Sequence, residues 1–155
     1  MRPNEWAVTM LAAALAASAT GEQPMINGKP DLSGKWQAES KGSQTWVIEQ
    51  APDSVSILEL TSADKTQTDV RCGLNGKECS GRVNGEDAKV VFYFNGPMLV
   101  QITTQGKNVS KTRRTLSEDG QRITVEYIPL VPEGKPETRV LVRAQTSESQ
   151  SAAQL

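Results

Sequence analysis

The sequence contains no histidine, and that absence removes the commonest general base and the commonest metal-ligating side chain together. Cysteine is nearly as scarce: only Cys72 and Cys79 occur, separated by Gly-Leu-Asn-Gly-Lys-Glu. Zinc wants four ligands drawn mostly from Cys and His, so the pair lacks partners for a metal site. A redox pair is disfavoured as well, because the spacing is not Cys-x-x-Cys and no helix N-terminus stands nearby to lower a thiol pKa. An excess of one charge is also missing. With 17 Lys and Arg against 18 Asp and Glu the net charge is −1, which implies no sequence-independent attraction to nucleic acid. The apolar run at 7–17 is too short to cross a bilayer, which takes about twenty residues, so the chain reads as not membrane-spanning. Neither of the Gly-rich nucleotide-cradling patterns is present. Carboxylate pairs remain as a route to acid–base chemistry, but Glu118-Asp119 and Glu86-Asp87 lie at turns and Glu133 in a Pro- and Gly-rich loop. They read as solvated turn charges. The expectation is a protein that is not an enzyme and has no cofactor and no metal.

What is present begins with an N-terminal segment of recognisable form. Residues 1–19 carry Arg2 in a short n-region, the apolar run, and the small-residue site Ala17-Ser18-Ala19, the layout of a secretory signal peptide cleaved after Ala19. The alternative is a short Ala-rich helix that stays attached. No cysteine sits beside the site to take a lipid anchor. Export would place the protein in a periplasmic or extracellular space, where Cys72 and Cys79 are expected to form a disulfide that clips a hairpin loop. Residues 20–31 are polar with Gly and Pro and read as a flexible, exposed leader. One domain follows at 32–144, and 145–155 reads as a disordered polar tail.

Within the domain, Gly76, Gly85, Gly96, Gly106, Gly120 and Gly134 recur at short intervals, four of them preceded by Asn or Asp. Such pairs accept the positive φ angles of tight hairpin turns. The runs between them predict strands at 33–40, 44–50, 55–61, 66–72, 78–83, 87–94, 98–104, 109–116, 122–128 and 137–144. Alternation assigns faces: Ala88, Val90, Phe92 and Phe94 share one side, Met98, Val100 and Ile102 one side of the next strand, and Ile123, Val125 and Tyr127 one side of a later one. No window shows a helical apolar period. Short strands in this number do not lie in one flat sheet, and consecutive tight hairpins predict an all-β, antiparallel up-and-down meander of about 8–10 strands closed into a barrel. Only the connection at 129–136 is long enough to hide a crossing.

Two segments then carry a resemblance. Pro30-Asp31-Leu32-Ser33-Gly34-Lys35-Trp36 resembles the opening of small exported bacterial proteins with a lipocalin-like fold. Leu116-Ser117-Glu118-Asp119-Gly120-Gln121-Arg122-Ile123-Thr124-Val125 is similar to their late hairpin. The likeness spans about residues 31–144 and implies a lipocalin-like barrel. It implies further that Gly34 and Trp36 pack across the closed end, with Arg139 or Arg143 from the last strand stacked on the tryptophan at a gain of about 1 kcal/mol. The Thr-Asp-Tyr element of lipocalins proper has no counterpart, and 37–43 leaves no room for the helical lid of fatty-acid-binding proteins, which share a similar first-strand motif.

Barrels of this kind fill with side chains or hold one small ligand. Candidates for a ligand lining are Trp46, Leu58, Phe92, Phe94, Ile102 and Tyr127, together with Ile48, Leu60 and Val100; all read equally as plain core. Arg113 or Arg114 is the candidate anion anchor. Adjacent strand positions face opposite sides, so one of the two points inward unless a bulge intervenes. Two functions stay open: an exported barrel binding a small apolar or amphiphilic ligand, or a filled, ligand-free barrel acting on an unidentified protein partner in the cell envelope.

Overall fold

The protein is described as a computed structural model covering residues 22–40 and 44–144; the expected signal peptide and tail lie outside the described residues. Ten strands form the barrel: β3 (Gly34–Ala38), β4 (Thr45–Gln50), β5 (Ser54–Leu60), β6 (Thr66–Gly73), β7 (Cys79–Val83), β8 (Glu86–Asn95), β9 (Met98–Gln105), β10 (Asn108–Leu116), β11 (Arg122–Val131) and β12 (Glu137–Arg143). Before them, β1 (Met25–Ile26) and β2 (Lys29–Pro30) make a separate two-stranded hairpin. Each barrel strand pairs antiparallel with its sequence neighbours, and β12 pairs with β3 to close the ring. The predicted meander is therefore the observed fold. Every predicted strand appears, most with ends within two residues.

Turn chemistry explains the regularity. Asn84 and Gly85 both take positive φ, 52° and 83°, the two-residue geometry whose twist matches the flanking strands. The long connection after β11 hides no crossing. β11 runs on through Pro129 to Val131, with a register shift between Val109 and Ser110 that pairs Ser110 with Pro129 and Val109 with Val131 and leaves Leu130 over as a bulge.

Two features depart from the expected arrangement. The segment read as an exposed leader is docked from residue 23 onward: Gln23 Nε2 donates to the Leu116 carbonyl at 3.1 Å, and Asp31 N closes the segment on itself by donating to the Pro24 carbonyl at 2.8 Å. Gln50, buried at the end of β4, fastens the same segment by donating to the Pro30 carbonyl and accepting from Leu32 N, at 2.9 and 3.0 Å. The second departure is a thin seam. β6 and β7 are paired at one position only, Asp69 with Arg82. The Cys72–Cys79 disulfide joins the two strands there, with a Cα–Cα distance of 5.7 Å.

The core fills one half of the barrel. Leu32, Trp36, Phe92, Leu99, Ile123 and Val55 are all at most 1% exposed and close the end reached by the leader.

Candidate functional site

At the closed end, Trp36 Nε1 donates to the Leu32 carbonyl at 3.0 Å, and the Arg143 guanidinium lies 4.4 Å over the Trp36 ring. Arg143 also donates to the carbonyls of Gly120 at 2.9 Å and Ser33 at 3.2 Å. Gly34 makes room for it. Its φ is +146°, a conformation that strains any other residue, and a Cβ there would push the Arg143 Nη1 end aside. Arg143, not Arg139, thus occupies the place beside Trp36. Arg139 sits at the opposite end, its guanidinium 5.5 Å from the Trp46 ring, because four residues along a strand carry it most of the way up the barrel.

That opposite half encloses a cavity of about 730 Å³, within the range of small-molecule sites. Its lower wall is apolar, with Ile48, Ile57, Val125 and Leu141; Trp46 and Tyr127 stand above them, and the remaining wall is polar apart from Val83. Arg114 and Thr112 project from β10, Gln101 and Thr103 from β9, Glu59 from β5 and Thr68 from β6. Arg114 Nη1 donates to Gln101 Oε1 at 2.8 Å, and Gln101 Nε2 donates onward to Thr103 Oγ1 at 2.8 Å. Burial lowers the Arg114 pKa well below the ordinary arginine value, to about 10, and the Glu59 carboxylate opposes that shift more weakly. The guanidinium stays charged at neutral pH. Among the described residues no acidic side chain lies within 4 Å of it.

Several expected lining residues fall elsewhere. Arg113 faces outward and pairs with Glu126, its cross-strand partner, in a half-exposed ion pair; its neighbour Arg114 faces in, as strand alternation demands. Leu58 and Ile102 are likewise outside, since Ile57 with Glu59 and Gln101 with Thr103 hold the inward positions. The same shift turns Leu60, Met98 and Val100 outward; Val100 lies flanked across the ladder by Tyr93 and Arg113 and is fully buried there. Phe92 faces inward but belongs to the packed end. Phe94 lies at that end too, 5.9 Å from Lys29 Nζ, beside a smaller groove under the β1–β2 hairpin. Of the expected lining residues, Trp46, Ile48 and Tyr127 line the cavity. Glu59, Thr68, Gln101 and Thr112 were not singled out from sequence; their signal was a polar residue at inward parity on a strand.

At the sequence level no family model and no curated protein matches the chain. Solved structures with the same fold do. A secretary abundant heat soluble (SAHS) protein from Ramazzottius varieornatus aligns with a TM-score of 0.59 at 12% identity, over 72% of this chain and 94% of that one. The REP1-NXSQ fatty acid transporter aligns at 0.56 and 17%, over 75% and 98%. Wild-type fluorescent protein UnaG aligns at 0.55 and 18%, over 72% and 96%. The chain therefore has the lipocalin and fatty-acid-binding type of barrel.

Proposed function

We propose that this chain is an exported barrel that binds, without catalysis, a small amphiphilic molecule bearing an acidic group. One observation carries the reading: Arg114 holds its charge inside a cavity of about 730 Å³ with no carboxylate in contact. A charge held in a confined site with no ion-pair partner is costly, and a ligand carboxylate is the group that offsets it. The apolar patch of Ile48, Ile57, Val125 and Leu141 receives the rest of such a molecule. The open volume counts against the filled-barrel alternative. A neighbour in fold described as a fatty acid transporter agrees with this use of the interior, and the signal-like N-terminus and the Cys72–Cys79 bond agree with export.

Titration with dodecanoate, followed by tryptophan fluorescence through Trp46, tests the reading. Binding is expected in the wild type and at least tenfold weaker in Arg114→Met. Equal binding by the two proteins, or none by either, refutes it.

A further inference from the structure

Besides Arg114 the cavity is lined by Glu137 and Arg139, both exposed at its rim, and by one charged group set deep within it that an acid-binding site does not need. Glu59 is only 8% exposed, and it projects from β5 into the same cavity as Arg114 on β10. In the ring order β10-β11-β12-β3-β4-β5-β6-β7-β8-β9, β5 lies five strands from β10 in either direction. The two side chains therefore stand on diametrically opposed walls. Each is held by one neutral partner on its own side: Thr68 Oγ1 donates to Glu59 Oε2 at 3.0 Å while accepting from Asn84 N at 3.2 Å, and Gln101 Oε1 accepts from Arg114 at 2.8 Å. The two charges do not touch, since no ion pair of 4 Å or less joins them, and Glu59 acts on Arg114 only through space.

The unused atoms of both groups open onto the void. Among the described residues no fully buried side-chain nitrogen or oxygen lacks a partner, so Glu59 Oε1 and the free guanidinium nitrogens of Arg114 retain surface, and that surface is cavity wall. A simple fatty acid would satisfy Arg114 and leave Glu59 facing an apolar chain or the ligand's own negative charge. Either result is unfavourable for a carboxylate in a confined site.

Resting on the proposed function, and sharpening it, we infer that the ligand is amphoteric: an acidic group for Arg114 and, across an apolar spacer, a cationic or multiply donating nitrogen group for Glu59.

The test compares straight-chain probes of matched length: alkanoates, alkylamines, and amino acids with the amine at the far end of the chain, from aminohexanoate to aminododecanoate. Adding a charged amine to an alkanoate ordinarily weakens binding to an apolar pocket. Here at least one amino acid in the series is expected to bind about tenfold more tightly than its alkanoate, and Glu59→Gln, which keeps the Thr68 contact, is expected to abolish that advantage. An alkanoate series that binds as tightly as the amino acids throughout, or an advantage that survives Glu59→Gln, overturns the inference. If alkanoates bind under either outcome, the proposed function stands; if no probe of any class binds, both fall. The wild-type comparison decides the matter even where the variant folds poorly.

Discussion

Replacing Arg114 by methionine should make the ligand-free barrel more stable. Burial lowers the guanidinium pKa well below the ordinary arginine value, to about 10, and at about 1.36 kcal/mol per pKa unit the charged form costs the folded state about 3 kcal/mol at neutral pH. Methionine keeps the volume of the stem and removes the charge. Against the gain stands the hydrogen bond to Gln101, worth about 1.5–3 kcal/mol because the donor is charged. Gln101 Oε1 is not stranded by its loss, since it stays on the cavity wall. The net expectation is a stabilisation of about 1 kcal/mol, or a few degrees in Tm. A pH series adds a sign. The folded pKa lies below the unfolded one, so the penalty is fully present while arginine is charged in both states and fades as pH rises beyond about 10. The gap between variant and wild type should then be flat from neutral pH to about 9 and narrow above it. Urea unfolding of delipidated protein at neutral pH, with equal m-values as the check on comparability, reads the difference. A loss of about 1 kcal/mol or more would refute the reasoning, because Arg114 would then be a strut holding β10 to β9 rather than a charge awaiting a ligand.

Gly34→Ala is expected to cost roughly 3–5 kcal/mol, combining a strained positive φ with displacement of Arg143 from Trp36 and its two carbonyls; thermal unfolding that matches wild type would contradict it. Removing the disulfide by Cys72→Ser with Cys79→Ser opens a link of sequence separation 7 and should lower stability by about 2.5 kcal/mol, measurable by denaturant titration. Asp119 accepts from Ser117 Oγ at 2.6 Å and from Gln121 N at 3.0 Å, and these bonds hold its carboxyl below the usual aspartate range. Its contribution to stability is present above the ordinary aspartate pKa and lost as pH falls through the lowered one. NMR titration should find Asp119 below 3.8, and should find it raised in Ser117→Ala.

The fold was legible in the sequence because each strand is bounded by local chemistry. Asn84-Gly85 needs only its own two residues to turn the chain, and the Gly34-x-Trp36 opening marks the end that packs. The site was much less legible, for a physical reason. Face assignment assumed that the more apolar side of each strand looks inward. On β9 that rule selects Met98, Val100 and Ile102, yet Leu99, Gln101 and Thr103 hold the interior. On β5 it favours Leu58 and Leu60 over Ile57 and Glu59. A barrel that keeps half its interior open lines that half with polar side chains, so its wet face lies inside and the pattern inverts where the cavity begins. The arginine pair escaped this difficulty only in part. Alternation alone requires one of the two to enter, but the choice of Arg114 depends on a register that β9 and β11 fix from either side.

The seam between β6 and β7 bears on how the protein behaves in company. Nine of the ten junctions in the ring are ladders of three or more paired residues, while this one has a single pair. Parted, it would turn the barrel into a rolled sheet with two free margins, each a template for strand addition by another molecule. The outward residues along it, Asp69 and Arg71 on one side and Arg82 on the other, are charges of the kind that discourage such addition. The Cys72–Cys79 bond keeps the margins together. Its consequence is therefore colloidal as much as thermodynamic: a concentrated solution of the reduced protein is where self-association would begin.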